Sequence, residues 1–454
     1  MATLKPQRIQ PLPPLPIERL VHPFVIFAKQ ASAGGIVLLA CTILAMAWAN
    51  SPFSHTYFNL WSTPLEVRLG ELVKIEKPLL LWINDGLMAI FFFLVGMEIK
   101  RELLVGELRS PRKAMLSIAA ALGGMVVPAC IYAALNWGTP EIRGWGIPMA
   151  TDIAFALGAL ALLGTRAPLA LKVFLTALAI IDDLGAVLVI ALFYTENLKP
   201  EFLLYSLLVW GVMVVANGLG VRGGLPYFLM GVVMWFFMLK SGVHATVAGV
   251  LAAFAIPVRS RIDPELFIAC VREYLNEFDQ PVAERTIILS PEQQAAIEAI
   301  EREALRVQSP LQRLERLLHN FVVFFVVPVF ALANAGVALS AEGGLNLTDR
   351  VIWGVALGLL IGKPLGITLA SWLAVRLGIA QLPRGISFTH IVGVGFLGGI
   401  GFTMALFIAG LAFQGDALDL AKLGILGGST IAGIIGLLLL RLMTEPQPEL
   451  EYAE

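Results

Sequence analysis

The stretch Phe174-Leu-Thr-Ala-Leu-Ala-Ile-Ile-Asp-Asp-Leu-Gly-Ala-Val-Leu-Val-Ile-Ala-Leu-Phe193 decides how this sequence is interpreted. It can cross a bilayer as a helix, since about 20 residues rising about 1.5 Å each cover the hydrocarbon core. Two adjacent carboxylates, Asp182 and Asp183, stand in its middle. An ionised side chain at that depth costs roughly 2.5–3.5 kcal/mol, and acids inside membrane spans are usually functional. We therefore expect a functional pair; the alternative is a pair that only hydrogen-bonds a neighbouring helix.

The composition is typical of a polytopic membrane protein. Of the 454 residues, 58% are hydrophobic and 14% are charged, whereas about 25% of residues are charged in soluble domains. The sequence has no basic patch for a nucleic acid and no Gly-rich phosphate loop for nucleotide-driven pumping. Cys41, Cys130 and Cys270 lack metal-type spacing, and their odd number argues against a disulfide framework. Met1–Arg19 has no apolar h-region, so we expect no signal peptide.

The apolar segments predict twelve membrane spans. They are expected at about 26–49, 80–99, 114–135, 147–164, 169–194, 202–218, 224–239, 242–257, 318–339, 351–375, 386–412 and 420–442. With the N-terminus inside, most of the 32 Lys and Arg residues fall in cytoplasmic segments, as the positive-inside rule requires. Both termini are therefore predicted to be cytoplasmic. The resulting regions are an N-terminal segment (1–25), spans one to eight (26–257), a cytoplasmic insertion (258–316), spans nine to twelve (317–443) and a tail (444–454).

Two segments outside the spans have predictable local structure. Residues 64–77 alternate apolar and charged side chains on both sides of Gly70, which predicts a small β-hairpin on the outer face. Because an isolated hairpin is marginally stable in water, it either pairs with a second subunit or rests on its own protein. In the insertion, Pro291–Val307 has apolar residues spaced by three and four, which predicts a helix.

Two spans contain residues that interrupt a helix. Pro148 removes a backbone donor near the start of the fourth span, and Thr151 and Asp152 follow well inside it. The eleventh span contains Gly393-Val-Gly-Phe-Leu-Gly-Gly-Ile-Gly-Phe-Thr403, too many glycines for a regular helix. Non-helical backbone at membrane depth survives only where protein or water satisfies it. Interrupted helices in comparable positions of two halves are typical of transporters with an inverted repeat and a midplane site.

The tenth span contributes a cation, Lys363. It lies in Gly354-xxx-Gly358-xxx-Gly362-Lys-Pro-Leu-Gly366, whose glycines at steps of four let another helix approach closely. Together with Asp152, Asp182 and Asp183 it would cost about 10 kcal/mol if each were ionised and alone. An ion pair between Lys363 and an acid of the fifth span, preferably Asp182, would lower that cost most. In a second account, Asp152 and Lys363 neutralise the partial charges of half-helix ends.

Charged residues at the cytoplasmic ends of two spans could respond to pH. Glu98 and Glu102 lie one helical turn apart at the end of the second span, and Glu315 and His319 are four residues apart before the ninth. A histidine with a carboxylate partner titrates near neutrality. A solvated helix end and an ordinary surface pair explain the same patterns, so both interpretations stay open.

The sequence resembles the NhaA-type sodium/proton antiporters over nearly its whole length. The motifs that carry the resemblance are Thr151-Asp152, Ala179-Ile-Ile-Asp-Asp-Leu-Gly185, Lys240-Ser-Gly-Val-His-Ala245, Gly362-Lys-Pro-Leu-Gly366 and Gly399-Ile-Gly-Phe-Thr403. The resemblance implies an all-α protein of twelve spans with the inverted repeat known for this family, in which the broken spans 4 and 11 cross. It also implies a bacterial inner-membrane location and a homodimer joined through the outer hairpin. The insertion after Pro257 is longer than the family's usual loop.

The resemblance further implies an activity and its residues. Such proteins exchange internal Na⁺ or Li⁺ for external H⁺ in pH homeostasis, with more protons than sodium ions per cycle. By position, Asp182 and Asp183 are the Na⁺ and proton site, with Asp152 and Thr151 beside it and Lys363 as the essential lysine. The implied pH-response residues are Glu98, Arg101, Glu102, Glu315, His319 and His244. The expected partners are the transported ions, the lipid bilayer and a second copy, with no cofactor and no nucleic acid.

Other classes of protein also place acids inside the membrane. An intramembrane aspartyl protease would carry its acids on separate helices in a Gly-x-Gly-Asp context, whereas Asp182 follows Ile180-Ile181. A sodium-coupled organic solute symporter of related fold would need a polar pocket for a larger solute, and none is obvious. A channel needs no titrating pair. Adjacent carboxylates titrate as a coupled unit, and Na⁺ and H⁺ would compete for their oxygens, so we expect a secondary ion transporter and not an enzyme.

Overall fold

The computed structural model describes residues 32–69, 73–195, 197–279, 288–339 and 348–444, and most of them are helical. The helices and strands are α1 (Ala33–Ala49), α2 (Ser54–Ser62), β1 (Pro64–Leu69), β2 (Val73–Pro78), α3 (Leu79–Leu104), α4 (Pro111–Leu135), α5 (Ile153–Ala161), α6 (Leu169–Phe193), α7 (Pro200–Gly218), α8 (Gly224–Ser241), α9 (Thr246–Ala255), α10 (Pro264–Phe278), α11 (Pro291–Val307), α12 (Pro310–Asn334), α13 (Arg350–Arg376), α14 (Phe388–Gly398), α15 (Phe402–Ala412) and α16 (Asp416–Met443). Three-residue-per-turn helices cover Glu107–Arg109, Pro140–Met149 and Gly164–Arg166, and π-helical segments lie at Ile83–Leu87, Val322–Val326 and Gly358–Gly362.

The predicted number of membrane spans is not confirmed. Among the described residues nine helices are long and apolar enough to cross a bilayer, or eleven if two bent pairs each count as one span, so the predicted twelve are not confirmed. The predicted span 242–257 forms only α9, whose 10 residues reach about 15 Å. The predicted span 26–49 is described from residue 32, and α1 bends by 112° into α2. The inverted repeat stays a prediction, and the segments 1–25 and 445–454 lie outside the described residues.

The exposed faces of α7 and α8 show what surrounds the molecule. In their most apolar windows these helices bury only 11% and 22% of their residues inside the protein. Leu204, Val215 and Phe228 are among the large apolar side chains left exposed. Contiguous apolar surface of this extent marks contact with lipid or protein and not with water. The chain is therefore a multi-pass membrane protein.

The helices pack as two bundles. The break bundle, named for its interrupted helices, contains the segment Pro140–Met149 and α4, α5, α6, α13, α14, α15 and α16. The hairpin bundle contains β1, β2, α1, α2, α3, α7, α8, α9 and α12. Packing is dense inside each bundle, whereas the main contacts between them are α1 with α5, α3 with α6 and α12 with α15. The molecule therefore has a natural plane of division.

Glycines set the distance between the helices of the break bundle. A Cβ on Gly366 of α13 would fall on the carbonyl group of Gly123 in α4. A Cβ on Gly362 would meet Pro128 at 2.7 Å. The predicted close approach along the Gly354–Gly366 face is thus confirmed, and the neighbour of that face is α4.

The eleventh span is more helical than its glycine content predicts. Helix α14 continues regularly to Gly398, and only Gly399–Gly401 leave the helix. Gly395 lies where a Cβ would be 2.9 Å from Pro364, and Gly393 where it would be 2.5 Å from Leu440. Several of these glycines therefore serve close packing, which offsets their low helix propensity, so the break is shorter than expected.

The structures predicted outside the spans are confirmed in the described residues. β1 and β2 pair antiparallel with Val67 opposite Ile75, and α11 spans Pro291–Val307 behind a capping box at Ser290. The hairpin is fixed to its own chain, because Trp82 Nε1 donates to the Leu65 carbonyl at 3.0 Å. Gly70 lies outside the described residues.

The glycine packing predicts a local stability difference. Gly366→Ala should destabilise the protein by about 1–3 kcal/mol, because overpacking forces the facing main chains apart. Gly427→Ala is the matched control, since a Cβ on this α16 glycine meets nothing within 4 Å. The midpoint of thermal unfolding in detergent should fall for Gly366→Ala and not for Gly427→Ala. Equal midpoints would contradict the packing account.

Candidate ion-binding site

The two helix breaks contact each other inside the break bundle. Ala150–Asp152 are extended before α5, and Gly399–Gly401 separate α14 from α15. The Asp152 amide donates to the Ile400 carbonyl at 2.7 Å, and Thr151 Oγ1 donates to the Gly398 carbonyl at 2.7 Å. Each break therefore satisfies backbone groups that the other leaves without a helical partner, as non-helical backbone inside a membrane requires.

Asp152 lies at the N-terminal ends of two half-helices. Its Oδ1 accepts from the Phe155 amide at 2.9 Å and so caps α5. Its Oδ2 accepts from the Thr403 amide at 3.1 Å and from the Thr403 hydroxyl, at the start of α15. A carboxylate is favoured at such ends because their free N–H groups carry partial positive charge. The account in which Asp152 neutralises half-helix ends is confirmed.

Lys363 and Asp182 form a buried ion pair. Lys363 Nζ donates to Asp182 Oδ2, and both side chains are fully inaccessible to solvent. The pair joins α13 to α6, as the sequence predicted, so Lys363 neutralises an acid and not a half-helix end. A buried pair of this kind contributes little net stability, but either charge left alone is very unfavourable.

Asp183 lacks the partners that its neighbours have. Among the described residues, neither of its carboxylate oxygens accepts a hydrogen bond, and the same holds for Asp182 Oδ1. Asp183 lines a cavity of about 340 Å³ between the two bundles, together with Glu98 of α3, Ile153 of α5 and Val327 of α12. Buried polar atoms in native proteins are almost always satisfied. These three oxygens are therefore where a proton or a cation would bind.

The ligand set for a cation would be small. Among the described residues, no group of three or more His, Cys, Asp and Glu side chains is placed to hold a metal ion. A cation would draw on the two adjacent aspartates, on Thr151, which neighbours Asp182, and on backbone carbonyls or water.

Comparison with known proteins assigns the family. Residues 26–440 match the family model described as Na⁺/H⁺ antiporter 1. The chain belongs to this antiporter family. The Na⁺/H⁺ antiporter NhaA of Oleidesulfovibrio alaskensis is 54% identical over 432 residues, which cover 95% of this chain and 96% of that protein. The antiporter NhaA of Helicobacter pylori is 50% identical over 420 residues (91% and 94%), and NhaA 1 of Saccharophagus degradans 49% over 424 residues (92% and 91%).

Membership settles the class of protein. Antiporters are secondary transporters, so the chain is a transporter and not an enzyme. The aspartyl protease and the solute symporter considered from the sequence find no support in these relatives. The ions that the relatives' names mention, and the residues that handle them, are taken up below as proposals.

Five of the six residues expected to respond to pH lie together at the other end of the antiporter's cavity. Glu98, Arg101 and His319 line this end. Arg101 also contacts the two remaining residues, the acids Glu102 and Glu315. Its guanidinium contacts Glu315 Oε1 at 2.5 Å and Glu102 Oε1 at 3.3 Å. The expected Glu315–His319 pair is not among the contacts of the described residues. Glu315 on α12 instead accepts a hydrogen bond from Arg101 on α3.

The sixth residue, His244, lies elsewhere. Its Nε2 is 3.4 Å from Asp85 Oδ1, and Lys77 Nζ is 2.7 Å from the other oxygen of Asp85. Asp85 is near the start of α3, whereas Glu98 is near the end of the same helix. The resemblance groups His244 with the pH-response residues, but the fold separates it from the other five.

Sequence reasoning missed several polar residues that hold this arrangement. Ser429 Oγ accepts from the amides of Gly401 and Phe402 at 3.2 Å each, and Lys100 Nζ donates to the Phe254 carbonyl at 2.6 Å. Asn84 and Asn334 exchange two side-chain hydrogen bonds, at 3.2 and 2.9 Å. The polar Asn84-Asp85 pair at the start of an apolar span was a usable signal. Ser429, in a run of small residues, gave none.

The buried ion pair predicts a large cost for removing one charge. Lys363→Ala leaves Asp182 buried without its cation, so we expect a destabilisation of roughly 3–5 kcal/mol. Lys77→Ala, which breaks the partly exposed pair with Asp85, should cost no more than about 1 kcal/mol. Thermal unfolding midpoints in detergent measure both. Adding Asp182→Asn to Lys363→Ala should restore part of the loss, and a double variant no better than the single one would contradict the ion-pair account.

Proposed function

We propose that this antiporter exchanges cytoplasmic Na⁺ or Li⁺ for external H⁺ across the bacterial inner membrane, electrogenically and by alternating access. The observation that carries the proposal is the Asp183 carboxylate, which is buried without a hydrogen-bond partner among the described residues and lines the cavity. Family membership supports the class of transport, and the names of the relatives support the two ions.

Charge balance at the site explains why the two ions compete. When all three groups are ionised, Asp182, Asp183 and Lys363 carry one net negative charge in a solvent-free environment. A buried uncompensated charge is unfavourable, so the site favours binding either one proton or one Na⁺ at the same oxygens. If only the loaded forms switch sides, competition becomes obligatory exchange. Electrogenic exchange moves more than one proton for each Na⁺, so it needs a second titrating group besides Asp183. The adjacent Lys363–Asp182 pair supplies that group in this proposal.

Alternating access is supported by the division into two bundles. The cavity that reaches Asp183 lies between them, with α3 and α12 on one wall and α5 and α6 on the other. The candidate ion site itself belongs to the break bundle alone. Movement of one bundle against the other could therefore expose Asp183 to the opposite side without dismantling the Lys363–Asp182 pair.

The charged cluster at the cavity mouth suggests both an orientation and a regulatory region. It lies at the end of α3 that precedes the basic loop after Leu104, which the positive-inside rule assigns to the cytoplasm. In that orientation both termini are cytoplasmic and the cavity opens inward. Any Na⁺ entering the cavity passes Glu98 and the Arg101–Glu315 pair. We propose that protonation in this cluster regulates exchange with pH.

A homodimer through the hairpin is supported by two exposed apolar side chains. Leu65 and Val67 of β1 are each 44% exposed, although the hairpin is anchored to its own chain by Trp82. Strand edges and exposed apolar side chains favour pairing with another chain. The second copy would cover this surface.

Everted membrane vesicles test the exchange and the site together. Adding Na⁺ or Li⁺ to vesicles that have acidified their interior should release protons, whereas K⁺ should not. Asp183→Asn should abolish the response and Na⁺ binding, because it removes a charge and an oxygen ligand while the protein still folds. Asp419→Asn, at a partly exposed acid of α16 paired with Lys422, should behave as the unmodified protein. Wild-type exchange by Asp183→Asn would refute the site, and no response to any cation would favour a symporter.

The hairpin surface predicts a change in oligomeric state. Leu65→Lys combined with Val67→Lys should lower the fraction of dimer in detergent, because two charges would have to be buried between the copies. Leu219→Lys, at an apolar residue that is 80% exposed and lies away from the hairpin, should leave it unchanged. Light scattering after size-exclusion chromatography measures the mass. An unchanged dimer in the hairpin variant would contradict this interface.

A further inference from the structure

Phe407 is the point at which the break bundle contacts three elements of the hairpin bundle. It is buried on α15, four residues after Thr403, and thus about 6 Å along the helix from the Asp152 contact. Its ring centroid lies 5.5 Å from that of Phe92 in α3, 6.1 Å from that of Phe330 in α12 and 5.1 Å from that of His244. These three rings meet at Phe407, and we call the cluster of four the ring layer.

The two sides of the ring layer differ in polarity. On one side are the helix breaks and the cavity that ends at Asp183. On the other side His244 contacts Asp85, whose second oxygen binds Lys77. The Lys77 side chain is 30% exposed, so this polar group is reached by water. One layer of rings therefore separates the candidate ion site from a solvated carboxylate on the side opposite the cavity mouth.

We propose that Phe407 is the plug of the closed side, and that the transported cation leaves toward Asp85 when the ring withdraws from Phe92 and Phe330. The inference rests on the function proposed above and names the contact that must break during exchange. Apolar constrictions exclude ions by excluding water, so a ring layer is sufficient as a seal.

The other contacts near the ring layer indicate why the contacts of Phe407 are the ones that break. The Asn84–Asn334 amide pair joins α3 to α12, both in the hairpin bundle, and would stay intact if the bundles move apart. Lys422 of α16 does reach across to the Gly336 carbonyl, at 3.4 Å. That contact is long and single, and it would part together with the ring layer.

A reversible crosslink between the bundles tests the proposal. In full-length protein with Cys41, Cys130 and Cys270 changed to serine, Phe330→Cys and Phe407→Cys are joined by a short bifunctional thiol reagent that contains a disulfide. We expect the crosslinked protein to lose Na⁺/H⁺ exchange in vesicles and to regain it on reduction. Because the cavity side stays open, Na⁺ binding measured by calorimetry should be retained in the crosslinked form.

The matched control is a crosslink within the hairpin bundle, between α3 and α12. Asn84→Cys with Asn334→Cys should crosslink and leave exchange unchanged, since α3 and α12 do not separate. Phe92→Cys with Phe407→Cys repeats the test across the bundles through a different partner, and each uncrosslinked double variant is the reference for its own crosslinked form.

The outcomes separate this proposal from the one on which it rests. Full exchange by a completely crosslinked Phe330–Phe407 or Phe92–Phe407 protein overturns the plug. Equal inhibition by the Asn84–Asn334 crosslink overturns it too, because the block would then not require contact between the bundles. If the cysteine-free parent protein, with all four rings in place, neither binds Na⁺ nor exchanges it, the proposed ion site fails instead.

Discussion

The burial of Lys363 against Asp182 is the interaction on which the candidate site depends. Neither side chain has any exposed surface, and a lone charge at that depth would be prohibitively unfavourable. Pairing holds α13 against α6 at the level of the breaks. It also commits one oxygen of Asp182 and leaves Asp183, the next residue along α6, without a donor among the described residues. The same pair that makes the buried charges tolerable thus leaves three buried oxygens of Asp182 and Asp183 without a donor among the described residues.

The helix breaks solve the complementary problem of free backbone groups. Each break exposes amides and carbonyls that lipid cannot satisfy, and Thr151, Asp152 and Ile400 satisfy them across the crossing. Asp152 is therefore held by donors at two helix starts, whereas Asp183 accepts no hydrogen bond among the described residues. Three aspartates close together in one bundle thus occupy different environments. That difference decides which of them is available to an ion.

The sequence predicted the structure best where an isolated buried charge or a missing backbone donor makes a compensating partner necessary. The Lys363–Asp182 pair and the break after Pro148 were predictable because an isolated buried charge and a missing donor both demand compensation. The extent of the second break, at Gly399–Gly401, was not predictable, because Gly393 and Gly395 serve close packing and not bending. The span predicted at α9 is not confirmed either, because only 10 residues are helical there. His244, although its motif was recognised, could not be placed, since its partner Asp85 comes from a distant part of the chain.

The division into bundles links these observations to transport. Every group of the candidate site, from Asp152 to Lys363, belongs to the break bundle, so the site can move as a rigid unit. The contacts between the bundles are comparatively few, and those that Phe407 makes with Phe92, Phe330 and His244 are aromatic. Ring contacts are non-directional compared with hydrogen bonds, so they can part and re-form without leaving buried polar groups unsatisfied. An apolar seal between two internally hydrogen-bonded bundles can therefore close one side of the proposed site and open again without breaking the hydrogen bonds within either bundle.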